Sequence, residues 1–145
     1  MHPASCLSVA TPVLQRQARP LWDFGDAMRP GPSVRTVQRL CDVVALATAA
    51  AFAMPIRELV SDKRTPRVAF ARQSAMYLAH VAFGLSYSDV ARAFGRDRTT
   101  AAHACHLVED RRDDPAVDAL LALLEDACGS LRRRLSARIE MAVRS

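Results

Sequence analysis

A chain of 145 residues is long enough to bury one core and too short for several, so one domain with tails is expected. Twenty Lys and Arg against 15 Asp and Glu give a formal charge of +5 and a pI near 9.6, a modest excess that favours a polyanionic partner without naming one. The uncharged stretch Val43 to Ile56 is too short to span a bilayer, and the first six residues lack a basic segment followed by an apolar one, so a cytoplasmic protein is expected.

Residues 1–32 hold five of the eight prolines and read as a flexible, poorly helical tail. Within it Leu21-Trp22-Asp23-Phe24 must bury itself, on its own domain or, alternatively, as a short motif for a partner. Helical periodicity begins at Ser33, a plausible N-cap, with Val34, Val37, Leu40, Cys41 and Val44 at spacings of three and four, which predicts a helix over about 34–53. Pro55 suits the first turn of a short helix from Ile56 to Val60, and Ser61-Asp62-Lys63-Arg64 forms a basic connection and a candidate phosphate contact.

Thr65-Pro66 is a second cap-plus-proline start, and Arg67 to Phe83 is apolar around most of the helix before Gly84 stops it, as for a helix in the middle of a bundle. Ser86-Tyr87-Ser88-Asp89 has the form of a capping box, and Tyr87, Val90, Ala91 and Phe94 make a short amphipathic helix closed by Gly95. In the next helix Ala101, Ala104, Cys105 and Val108 form an inward stripe, with Thr99, His103, His106 and Asp110 opposite. Asp114-Pro115 caps a final helix with apolar positions at Val117, Leu120, Leu121, Leu124, Cys128, Leu131, Leu135 and Ile139, running through Gly129 or breaking there. No segment alternates as a strand does, so the fold class is all-α: a helical bundle containing a helix-turn-helix, with a long C-terminal helix. Its expected parts are the tail 1–32, a reading domain 33–114 and a C-terminal helix 115–145.

A short helix, a glycine turn and a longer helix is the arrangement in which the second helix enters the major groove of duplex DNA. By itself the pattern is common. Its chemistry is more specific: Arg96, Asp97, Arg98, Thr99 and Thr100 put donors, an acceptor and methyl groups at the front of the second helix. Asp97 would equally serve as an ordinary helix cap.

Three segments carry a resemblance to a known family: Glu58-Leu59-Val60-Ser61 with Lys63-Arg64, Ala71-Arg72-Gln73-Ser74-Ala75-Met76-Tyr77-Leu78, and Phe94-Gly95-Arg96-Asp97-Arg98-Thr99-Thr100-Ala101-Ala102-His103-Ala104. They resemble the C-terminal DNA-binding domain of the bacterial replication initiator DnaA, itself akin to the Trp repressor fold. The resemblance implies that Arg72 enters the minor groove while Asp97, Thr99 and Thr100 read bases in the major groove. Arg98 stands where the family usually has His, which should shift base preference towards guanine. A second departure is the direct step from Gly95 to Arg96, where the family usually has another Gly. None of the five glycines belongs to a GxxxxGK[ST] loop, so the family's ATPase machinery is not expected in these 145 residues.

The base-reading candidates are therefore Arg72, Asp97, Arg98, Thr99 and Thr100, and the phosphate-binding candidates Lys63, Arg64, Arg67, Ser86, Ser88, Arg96 and His103. Arg72 lies in an apolar arc, where an unpaired charge is costly, so it reaches DNA or pairs with Asp62 or Asp97. The cysteines at 6, 41, 105 and 128 have no CxxC spacing and read as inert thiols. His103 and His106 could share a metal only with poorly angled help from Cys105 or Asp110; no metal, cofactor or enzymatic activity is expected. The Leu stripe with Arg132-Arg133-Arg134 is a candidate dimer seam or a cover for its own core. The composite expectation is a sequence-specific binder of double-stranded DNA acting in transcription, with modulation of replication initiation as runner-up and a helical interaction protein as the remaining alternative.

Overall fold

The computed structural model describes residues 31–144. The Pro-rich segment up to residue 30, with the Trp22 cluster and Cys6, lies outside the described residues. The rest is all-α, with no strand among the described residues. Helix α1 is Val34–Ala51, α2 Ile56–Leu59, α3 Pro66–Phe83, α4 Tyr87–Ala93, α5 Arg98–Arg111 and α6 Pro115–Arg144.

The starts and stops follow the local chemistry. The Ser33 hydroxyl accepts from the Thr36 amide at 3.2 Å, and Val37, Leu40, Cys41 and Val44 point into the core from one face of α1. Thr65 takes the extended conformation before Pro66 but gives α3 no side-chain cap. Gly84 ends α3 in the left-handed region at φ 64°, where a side chain would be strained.

Helix α3 runs through the centre and packs on all five other helices. Ala71, Ala75, Ala79 and Ala82 are small enough to let neighbours close in, while Leu78 and Phe83 fill the remaining space; all are buried. This is the central helix that its all-round apolar sequence predicts. Helices α5 and α6 both pack on α3, so the recognition-type pair α4 and α5 rests on the same support as the C-terminal helix.

Helix α6 runs unbroken through Gly129. Its first half belongs to the core through Leu121, Leu124 and Cys128, whereas every residue from Ala137 onward is exposed. A polar clamp fixes the buried half. Arg112, just after α5, donates to Asp118 at 2.6 Å, to the Tyr77 hydroxyl of α3 at 2.8 Å and to Glu125. Burial alone would disfavour the charge on Arg112, but the bonds to Asp118 and Glu125 outweigh it and raise the guanidinium above its usual value. Burial and the neighbouring Glu125 push the Tyr77 phenol up to about 12. Desolvation also pushes the buried thiols of Cys41 and Cys105 up to about 12 and that of Cys128 to about 11, which keeps them protonated and inert.

Candidate nucleic-acid interface

The short helix α4 is built by its caps. The Ser86 hydroxyl accepts from the Asp89 amide at 3.1 Å and donates to the Asp89 carboxylate at 2.8 Å, so Asp89 answers Ser86 through its hydroxyl where the usual box uses the backbone. Gly95 turns the chain at φ 62°, and the Arg96 amide closes the turn on the Ala91 carbonyl at 2.8 Å. Val90 and Ala91 are then buried, as are Ala101, Ala104, Cys105 and Val108, and α4 packs directly on α5.

Asp97 opens α5. Its Oδ1 accepts from the Thr100 amide at 2.7 Å and from the Thr99 hydroxyl at 3.0 Å. Those bonds, the Thr100 amide first, hold its carboxyl below the usual aspartate range although the residue is fully exposed. A depressed folded pKa stabilises the fold above the unfolded value and loses that stabilisation as pH falls through the folded value. Acidification into and below the ordinary aspartate range should therefore weaken the start of α5 in the native protein and not in Asp97→Asn. Parallel thermal-unfolding curves for the two proteins across that acid range would remove the cap from the account.

Beyond the cap, Arg98, Thr99, Thr100 and His103 stand exposed at the front of α5. Beside them lies a cleft of about 460 Å³ between α5 and the segment joining α2 to α3. Asp62 and Arg64 line one wall, Arg96, Asp97, Thr100 and His103 the other, and Arg72, Gln73 and Met76 of α3 form the floor. The structure thus brings Arg64, Arg72, Arg96, Asp97, Thr100 and His103 together. Arg98 and Thr99 lie outside the cleft lining, and Ser86 and Ser88 are exposed at the start of α4.

Four residues have partners that the sequence reading did not assign. Arg72, expected to read bases in the minor groove, is 9% exposed: its Nε donates to the Leu59 carbonyl at 2.9 Å, and the same terminal nitrogen donates to the carbonyls of Ser61 and Lys63. Its charge is answered by backbone oxygens, and neither Asp62 nor Asp97 supplies its hydrogen bonds. Burial, then the nearby Arg96 charge, lowers its pKa. Arg96 pairs with Asp62 at 3.0 Å, and Lys63 with Glu58 at 3.1 Å. Arg67 donates to the Phe52 carbonyl at the end of α1. Gln73, quoted in the resemblance but given no role, lines the cleft; its place on α3 beside Arg72 was the available signal.

The Arg96–Asp62 pair has a consequence of its own. The Asp62 side chain is 94% exposed, and such solvent-facing pairs contribute only about 0–1 kcal/mol, so a phosphate can displace the carboxylate. Asp62→Asn should tighten binding to every duplex alike and steepen the logarithmic salt dependence by up to about one, read from anisotropy titrations at several salt concentrations. Weaker binding would show that Asp62 helps DNA contact instead.

Among the described residues no group of three or more His, Cys, Asp or Glu is placed to hold a metal ion, and no helix is long and apolar enough to cross a membrane. Two short-linked helices, the second capped by Asp97 and presenting its N-terminus outward, define a helix-turn-helix protein. Residues 41–108 match the family model of the bacterial DnaA protein helix-turn-helix.

The comparisons extend the match. The chain is 44% identical over 80 residues to the chromosomal replication initiator protein DnaA of Acinetobacter baumannii (strain AYE), covering 51% of this chain and 17% of that protein. It is 38% identical over 76 residues to the DnaA of Aquifex aeolicus (strain VF5), covering 51% of this chain and 19% of that protein. The crystal structure of a DNA replication initiation factor superposes with a TM-score of 0.60 at 31% identity, over 66% of this chain and 30% of that one. The chain therefore spans less than a fifth of the length of these two DnaA relatives.

Proposed function

We propose that this protein binds double-stranded DNA sequence-specifically, as a DNA-associated protein of the cytoplasm, with α5 in the major groove and the loop between α2 and α3 against the backbone. The observation that carries the proposal is the juxtaposition of the exposed α5 N-terminus with the cleft wall bearing Arg64. Arg98, Thr99 and Thr100 take the base-reading role, with Asp97 setting their geometry as cap and offering a carboxylate to the groove. Lys63, Arg64, Arg96 and His103, with Ser86 and Ser88 at the start of α4, take phosphates. Arg67 contributes long-range charge rather than a designed contact, because its guanidinium already serves the end of α1.

The sequence reading put transcription first. The initiator relatives favour sites of the replication-initiator type, so this protein is proposed to act at such sites as a modulator of initiation; a role in transcription differs only in where its sites lie. The apolar positions Leu135 and Ile139 on the exposed end of α6, 37% and 50% exposed, support self-association as a dimer in which two heads share one site. Anisotropy titration of duplexes from a bacterial replication origin against shuffled controls tests the proposal. It requires tighter binding to the origin duplexes by at least about tenfold at physiological salt, within the usual range of specificity ratios. Equal affinity would contradict it.

A further inference from the structure

We propose that the groove between α1, the end of α4 and the loop after α2 is the seat of this chain's own Leu21-Trp22-Asp23-Phe24 cluster, with the Trp22 indole filling the cavity. The groove holds about 290 Å³. Cys41 and Ala45 of α1 form one wall, Ala93 and Phe94 belong to the end of α4, and Val60 comes from the loop. Its rim is open: Val60 is 61% exposed. The stripe of α1 that lines it, Gln38, Cys41 and Ala45, continues at helical spacing to Val34, which is 63% exposed. Apolar side chains left in water around one recess mark an interaction surface.

Size, reach and charge all point to the same occupant. Pockets for drug-sized ligands run from roughly 300 to 1,000 Å³, so this recess suits one large side chain better than a whole small molecule. Trp22 is the only Trp in the chain and carries the largest apolar surface before α1. Ser33 caps α1 five residues before Gln38, so the preceding segment joins the domain beside the groove. Trp22 precedes Val34 by 12 residues, which can extend to about 40 Å, whereas Val34 to Ala45 spans about 17 Å of helix. Pro30-Gly31-Pro32 supplies turn-forming residues for the reversal back along α1. Asp23 and Asp26 flank the aromatic rings, while the first turn of α1 has no acidic residue and carries Arg35, with Arg39 one turn on.

The groove also touches both segments that frame the reading helix. Val60 opens the loop that bears Lys63 and Arg64, and Phe94 leads into the Gly95 turn before α5. The seated indole packs against both from behind. The inference does not depend on DNA binding.

Because Trp22 is the only Trp, its fluorescence reads the seat directly in the whole chain. Acrylamide quenching should be at least about threefold weaker in the native protein than in urea, since a packed indole is shielded from solvent. Val60→Glu should raise native quenching at least about twofold, because an unpaired charge against an apolar ring is disfavoured. Val34→Glu, at a second exposed site, should act in the same direction, and circular dichroism of both variants should show native helix content. Equal quenching in native protein and in urea, or no change in either variant, would overturn the proposal. Paired Leu135→Glu and Ile139→Glu should leave Trp22 shielded; exposure by that pair would place the cluster on α6 and contradict the groove. Shielding lost on dilution at constant helix content would place it on a second copy and overturn the proposal as well.

Discussion

Arg98→Ala is expected to lower affinity for the protein's selected duplex by roughly 1–3 kcal/mol and to relax preference at one base pair, while leaving binding to unselected DNA nearly unchanged. Arg98 is the first residue of α5, exposed, with no ion-pair partner among the described residues. A guanidinium so placed is available for a two-pronged bond to a guanine edge, and removing it strands acceptors that the correct site would have paired. Lys63→Ala should behave differently, weakening selected and random duplexes alike and reducing the salt slope by about one. Titration of both variants against both kinds of duplex separates the two effects. Equal losses for Arg98→Ala on selected and random DNA would remove it from the specificity determinants.

Leu121→Ala is expected to destabilise the fold by about 2–5 kcal/mol, a large share of the roughly 5–15 kcal/mol that holds a typical domain together. Leu121 is fully buried and belongs to the core cluster shared with α3 and α1, beside the clamp that Arg112 makes with Asp118, Tyr77 and Glu125. Its removal leaves a void that the surrounding helices, already close-packed through alanines, can only partly refill. Leu135→Ala, on the same stripe but 37% exposed, should cost less than about 1 kcal/mol. Urea unfolding of both variants measures the contrast. A small loss at Leu121 would mean that α6 peels away before the domain unfolds.

Much of the fold was legible because its signals are local. Ser33, Gly84, Ser86 and Gly95 mark helix ends through their own backbone and side-chain preferences, and each does so in the structure. The stripe Ala101, Ala104, Cys105 and Val108 could be read inward because its period matches the helix, and it is the buried face of α5. The backbone partners of Arg72 were not legible. A sequence shows that a charge sits in an apolar arc, but not that loop carbonyls will turn towards it, since every residue carries the same carbonyl. The 34-residue separation of Asp62 and Arg96 likewise joins two loops only once α3 has set their distance. Asp97 shows the intermediate case: cap and base reader were both written in the same residue, and the structure displays the cap.

The reading of duplex DNA by α5 is tested most directly by selection from a random duplex pool with the purified chain, repeated at two salt concentrations. Recovery of one motif at both, with weaker retention at the higher salt, is the expected result. Retention without enrichment, or no retention even at low salt, would contradict it.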